Sequence, residues 1–150
     1  MSEQDKLLLA TLQLQIMDVL WKLNEATVAE VRAELEAQGK DLAYTTVATM
    51  LTKMEKKGVV KHRSDGRVLK YKPAVARGKV AEAMTGELVA GVFGGSPVDL
   101  VGHLLDSSEI KVEELARIKE LIRRKENEIS NSRLPKKVEP AQEEGDLDDA

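Results

Sequence analysis

The chain has 150 residues, 33% charged and 42% apolar, with one Trp, two Tyr and one Phe. That allows one domain plus an oligomerisation segment, built on an aliphatic core rather than an aromatic ligand pocket. The absence of cysteine excludes disulfides, thiolate metal centres, iron–sulfur clusters and a Cys nucleophile. The net charge of −3 conceals an asymmetry: residues 139–150 carry six acids and no base, whereas residues 53–72 carry eight Lys/Arg against two acids.

The opening MSEQDKLLLATL has an acidic start and too short an apolar run for a signal peptide. No stretch approaches the roughly eighteen apolar residues of a membrane span, so a cytoplasmic protein without membrane association is expected. A first helix is capped by Thr11, carries Leu12, Ile16, Val19, Leu20 and Leu23 at helical spacing beside a core Trp21, and ends at Asn24-Glu25. Thr27 and Glu30 form a capping-box pattern that opens a second helix, with Val28, Val31 and Leu35 inward and Gly39 as its stop. A third helix starts near Ala43 or Tyr44 and runs to Lys57, closed by Gly58.

This third helix is the most informative segment. Val47, Met50, Leu51 and Met54 share an arc of about 100°, the expected buried face. Thr45, Thr49, Thr52 and Lys56 gather on the other side. Threonine is a poor helix former, but short hydroxyls and methyls backed by Lys53 and Lys56 suit phosphates and thymine methyls in a major groove.

VVKHR and VLKYK then flank Asp65-Gly66, a pair suited to a type I′ hairpin turn. With those two residues as the loop, Arg63 opposes Val68, Lys61 opposes Lys70 and Val59 opposes Lys72. The other face carries Val60, His62, Leu69 and Tyr71 and packs on the helices, which makes His62 structural. Lysines directly opposed across a ribbon repel each other, and a DNA backbone would relieve that penalty. Arg67, beside the tip, is placed to reach a groove or a phosphate. Three helices and a hairpin in this order describe a winged helix-turn-helix, mainly α with a small β wing.

Helix returns after Pro73. Val80, Ala83, Met84, Leu88 and Val92 form one stripe, which Gly94-Gly95-Ser96-Pro97 breaks; Val98 to Leu105 is a short apolar piece. Val112, Leu115, Ile118, Leu121, Ile122 and Ile129 mark a last helix. These helices have too few residues to bury their own stripes. A second copy is therefore expected to cover Val80, Met84, Leu88, Val92, Leu104, Leu115, Ile118 and Ile122, giving a homodimer; packing back on the wing domain is the other arrangement open to them. The expected division is a DNA-binding domain over 1–75, a helical dimerisation domain over 76–130 and a disordered acidic tail over 131–150.

Three stretches, LQIMDVLWKL with TVAEV, then LAYTTVATMLTKMEKKGVV, then SDGRVLKYKP, resemble the BlaI/MecI/CopY-type penicillinase repressors, winged-helix transcription factors of bacteria. The resemblance spans roughly residues 7–128 and is looser in the C-terminal half. It implies a dimeric repressor on an operator, with recognition contacts at Thr45, Thr46, Thr49 and Lys53 and wing contacts at the basic strand residues Lys61, Arg63 and Lys70. Ala48 stands where some members carry Arg. In the β-lactam-responsive members a membrane sensor and protease lead to cleavage in the dimerisation domain, often at an Asn-Phe bond. The corresponding candidate cleavage region here is His103-Leu104, a departure that argues against both that cleavage and a β-lactam signal. The Cys motif of copper-responsive members is absent.

The resulting expectation is a non-enzymatic, sequence-specific transcriptional repressor. It would bind double-stranded operator DNA as a homodimer, answer to an upstream sensor or protease, and need neither metal nor cofactor. A winged helix used as a protein–protein adaptor is the alternative, and it has no evident need for the basic segment 53–72.

Overall fold

The computed structural model describes residues 7–107 and 109–138, with side chains up to residue 132. It divides into two compact units, one ending at Pro97 and the other beginning at Val98. The first holds α1 (Thr11–Leu23), β1 (Ala26–Thr27), α2 (Val28–Ala37), α3 (Tyr44–Lys57), β2 (Val60–Asp65), β3 (Val68–Pro73) and α4 (Arg77–Val92). α5 (Pro97–Ser107) and α6 (Val112–Val138) follow. The first unit is a winged helix-turn-helix, as expected.

Each element of that unit starts and stops for a local reason. Thr11 is the first helical residue rather than the cap of α1: Ala10 takes the cap position and donates its N–H to the Gln13 side chain at 3.3 Å, so no hydroxyl is required there. Asn24 closes α1 at φ 72°, a left-handed value that Asn tolerates. The capping box of α2 is present, with Glu30 N–H donating to Thr27 Oγ1 at 3.1 Å and Thr27 N–H to Glu30 Oε1 at 2.8 Å. α3 ends in a Schellman motif. Gly58, at φ 88°, donates to the Glu55 carbonyl and Val59 to that of Met54, while the Val59 and Met54 side chains are both buried.

The core lies where three helices and the sheet meet. Ile16, Met17, Leu20, Val31, Leu35, Val47, Leu51 and Met54 are fully buried, and Met50 packs half-buried beside them. Trp21 is also half-buried, at the edge of this core. Its Nε1–H donates to the Val75 carbonyl at 3.0 Å and Arg77 stacks 4.6 Å above its ring, joining α1 to the start of α4.

The expected boundary after residue 75 therefore falls elsewhere. α4 belongs to the winged unit, because Val80 is buried in the same core and Met84 packs against it. α6 continues past Ser130 to Val138, so 131–138, the first part of the expected tail, is helical. Helix-forming Arg, Lys and Glu run from Arg123 onward, with Lys125 and Glu128 paired at i,i+3. Residues 139–150, the acidic run, lie outside the described residues. Among the described residues no single helix is long and apolar enough to cross a membrane, and no group of His, Asp and Glu is arranged to hold a metal.

Candidate nucleic-acid interface

The buried stripe of α3 fixes which of its side chains face outward. Thr45, Thr46, Thr49, Thr52, Lys53 and Lys56 are all exposed, but they do not form one surface. Thr45, Thr46, Thr49 and Lys53 surround a shallow hollow floored by Met50. Thr52 lies on the side of α3 that faces the wing, together with Tyr44 and Ala48. Its hydroxyl donates to the Ala48 carbonyl at 3.0 Å, and Tyr71 of the wing lines the same cleft. Burial pushes the Tyr71 phenol up from its ordinary pKa, so the ring stays neutral.

The wing is a three-stranded antiparallel sheet in the order β1-β3-β2. β1, a two-residue strand pairing Ala26 with Tyr71 and Thr27 with Lys70, was not foreseen from the sequence. The hairpin register also differs from expectation. Asp65 opposes Val68, Arg63 opposes Lys70 and Lys61 opposes Lys72, so the loop is Gly66-Arg67 rather than Asp65-Gly66. Gly66 has φ 66°, while Arg67 has no positive φ. That pattern fits a type II′ turn, with Gly in the first central position, better than I′. A slip of two residues leaves every side chain on its expected face.

His62 and Tyr71 sit on the face toward the helices, their ring centroids 5.4 Å apart, and His62 Nδ1 meets the Glu55 carboxylate of α3 at 2.7 Å. Lys61, Arg63, Lys70 and Lys72 consequently point away from α3. The basic segment is thus three separate surfaces, namely the α3 strip, the tip and the outer wing face.

Its cations also differ in how far they are already committed. Arg63 spans β3 to make a bidentate pair with Glu25 just before β1 (Nε to Oε2 2.7 Å, Nη2 to Oε1 2.9 Å), and Lys70 pairs with Asp65 at 3.0 Å. The Arg63 hydrogen bond lowers the Glu25 carboxyl below the usual range, and the Lys70 bond does the same for Asp65. Lys57 donates to the Leu8 carbonyl and to Gln13 Oε1. Lys53, Lys56, Lys61, Arg67 and Lys72 have no carboxylate within ion-pair distance among the described residues. Glu25 was missed because 38 residues separate it from Arg63, and nothing local to either signals the pair.

The residues expected to dimerise divide in the same way. Val80 is 2% exposed, inside the core of its own chain, so it presents nothing to a partner. Leu88 and Val92 are exposed and line an apolar groove with Leu8 and Leu9. Leu104, Leu115 and Ile122 are exposed and Ile118 is half-buried; α5 contains no fully buried residue. His103-Leu104 lies inside α5, where a protease would need the helix unwound to reach an extended backbone.

Residues 9–124 match the family model for the penicillinase repressor. The penicillinase repressor of Bacillus licheniformis is 25% identical over 115 residues, covering 77% of this chain and 89% of that one. Transcriptional regulator BlaI of Mycobacterium tuberculosis is 38% identical over 100 residues, covering 66% of this chain and 63% of that one. Among solved structures, monomeric Bacillus licheniformis BlaI in complex with the blaP half-operator is 31% identical, with a TM-score of 0.41, over 47% of this chain and 85% of that one. With a match that runs from Leu9, just ahead of α1, into the first half of α6, the chain belongs to the penicillinase repressor family of transcription regulators.

Proposed function

We propose that this chain is a transcriptional repressor that binds an inverted-repeat operator as a homodimer and acts by occupying the promoter. One observation carries the reading. α3 spends its apolar stripe on the core and turns Thr45, Thr46, Thr49 and Lys53 outward as an uncovered strip. Small hydroxyls and methyls leave room for a base edge, and Lys53 supplies charge toward the backbone. The relative solved on its half-operator supports the same use of this domain.

Phosphate contacts fall to four of the uncommitted cations, Lys53, Lys56, Lys61 and Arg67. Arg63 and Lys70 contribute less, because a phosphate has to compete with Glu25 and Asp65 for them. Thr52 contributes through its place between α3 and the wing. Homodimerisation is supported by the exposed Leu104, Leu115 and Ile122 and half-buried Ile118 of the second unit and, separately, by the exposed Leu88 and Val92 and half-buried Met84 of α4. Release by an upstream sensor or protease at His103-Leu104 would require local unwinding of α5.

Selection of bound sequences from a random duplex pool tests this reading. Enrichment of an inverted repeat, with half-site centres about one helical turn or a multiple apart, is the expected result. A folded, dimeric protein that enriches nothing would overturn it in favour of the adaptor role.

A further inference from the structure

We propose that the cleft between α3 and the wing binds a small organic monocarboxylate with an aromatic or branched aliphatic body. The cleft measures about 410 Å³, inside the range of small-molecule sites. Tyr44 of α3 and Val68 and Leu69 of the wing line it at 53%, 47% and 40% exposure. Ala48, Thr52 and Tyr71 line it as well. Arg67 stands at the rim, and no Asp or Glu lines the space. Val28 and Ala29 at the start of α2 also line it.

These features together select the ligand class. A bare phosphate would use Arg67 and leave the apolar walls uncovered, and a neutral apolar molecule would leave Arg67 unused. A carboxylate on an apolar body uses both. Because Arg67 and Thr52 also belong to the surface proposed for DNA, occupancy and operator binding exclude each other. That consequence rests on the DNA reading; the site itself does not.

The chain's two tyrosines, Tyr44 and Tyr71, both line this cleft, whereas Trp21 packs on Val75 and Arg77 elsewhere. Tyrosine ring signals therefore report the site alone. Full-length, DNA-free protein would be titrated with benzoate, benzamide and inorganic phosphate while these signals are followed by NMR. The expected result is a saturable benzoate shift of both tyrosines with Trp21 unmoved, weakened about tenfold for benzamide and in Arg67→Ala by loss of one charged hydrogen bond. Benzoate should displace the selected duplex over the same concentration range. No saturable shift, equal response to benzamide, or the same shifts from phosphate would each overturn the site, and a duplex retained at saturating benzoate would overturn its exclusion of the operator. Should the ligand-free protein fail to bind duplex at all, the DNA reading falls, while the tyrosine titration still decides the site.

Discussion

Leu51 and Ile122 are both aliphatic, and both sit on the apolar stripe of an amphipathic helix, yet Leu51 is fully buried and Ile122 is 52% exposed. The same contrast separates the two units. The winged unit closes a core of its own aliphatic residues, with Val80 of α4 recruited to complete it, while Leu88 and Val92 farther along α4 stay exposed. α5 has no fully buried side chain, and α6 leaves Leu115, Leu121, Ile122 and Ile129 open. One unit is specified from within the chain. The other has a stripe that only a second surface can complete, which is the physical basis for the proposed homodimer.

Substitutions at these two positions should therefore fail differently. Leu51→Ala removes a fully buried side chain, and should cost about 2–5 kcal/mol in chemical denaturation of the winged unit. Ile122→Glu should leave that stability near wild type. It should instead give monomers in sedimentation and lower affinity for the full inverted repeat by roughly 10²–10⁴-fold, while half-site binding persists. Equal loss of fold stability in both variants would erase the distinction between the units.

Two smaller effects sharpen it within the winged unit. Arg67→Ala, which frees no carboxylate, should reduce the slope of log affinity against log salt by about one unit, and Arg63→Ala by less, since Glu25 already holds that guanidinium. The carboxyls of Glu25 and Asp65 are held below their ordinary values in the folded wing. Their contribution is therefore complete above the unfolded carboxylate range and is lost as pH falls through the folded values. Acid denaturation followed at the tyrosines should show a slightly shallower decline below about pH 4.5 for Glu25→Gln with Asp65→Asn than for the wild type.

The sequence was most legible where a periodic or capping rule acts over neighbouring residues. The spacing of Val47, Leu51 and Met54 marks the buried side of α3, Thr27 with Glu30 marks the start of α2, and Gly58 marks the end of α3. Features set by tertiary pairing left no such trace. A strand as short as Ala26–Thr27 shows no alternation. Gly66 suits either central position of a two-residue turn, so the register could shift by two without moving any side chain to the other face. The allegiance of α4 depends on Val80 and Trp21 meeting elements distant in sequence. The Thr45, Thr46, Thr49 and Lys53 strip followed from helical geometry and resemblance, but its separation from Thr52 needed the wing in place.

The central claim is that the α3 strip reads sequence while the uncommitted cations hold the backbone. Its most direct test compares wild type and Thr49→Ala on the selected duplex and on a scrambled duplex of equal length, at one fixed salt concentration. Thr49→Ala should lose about 1 kcal/mol on the selected duplex and nothing on the scrambled one. An equal loss on both would contradict the account, because Thr49 would then serve affinity without reading any base.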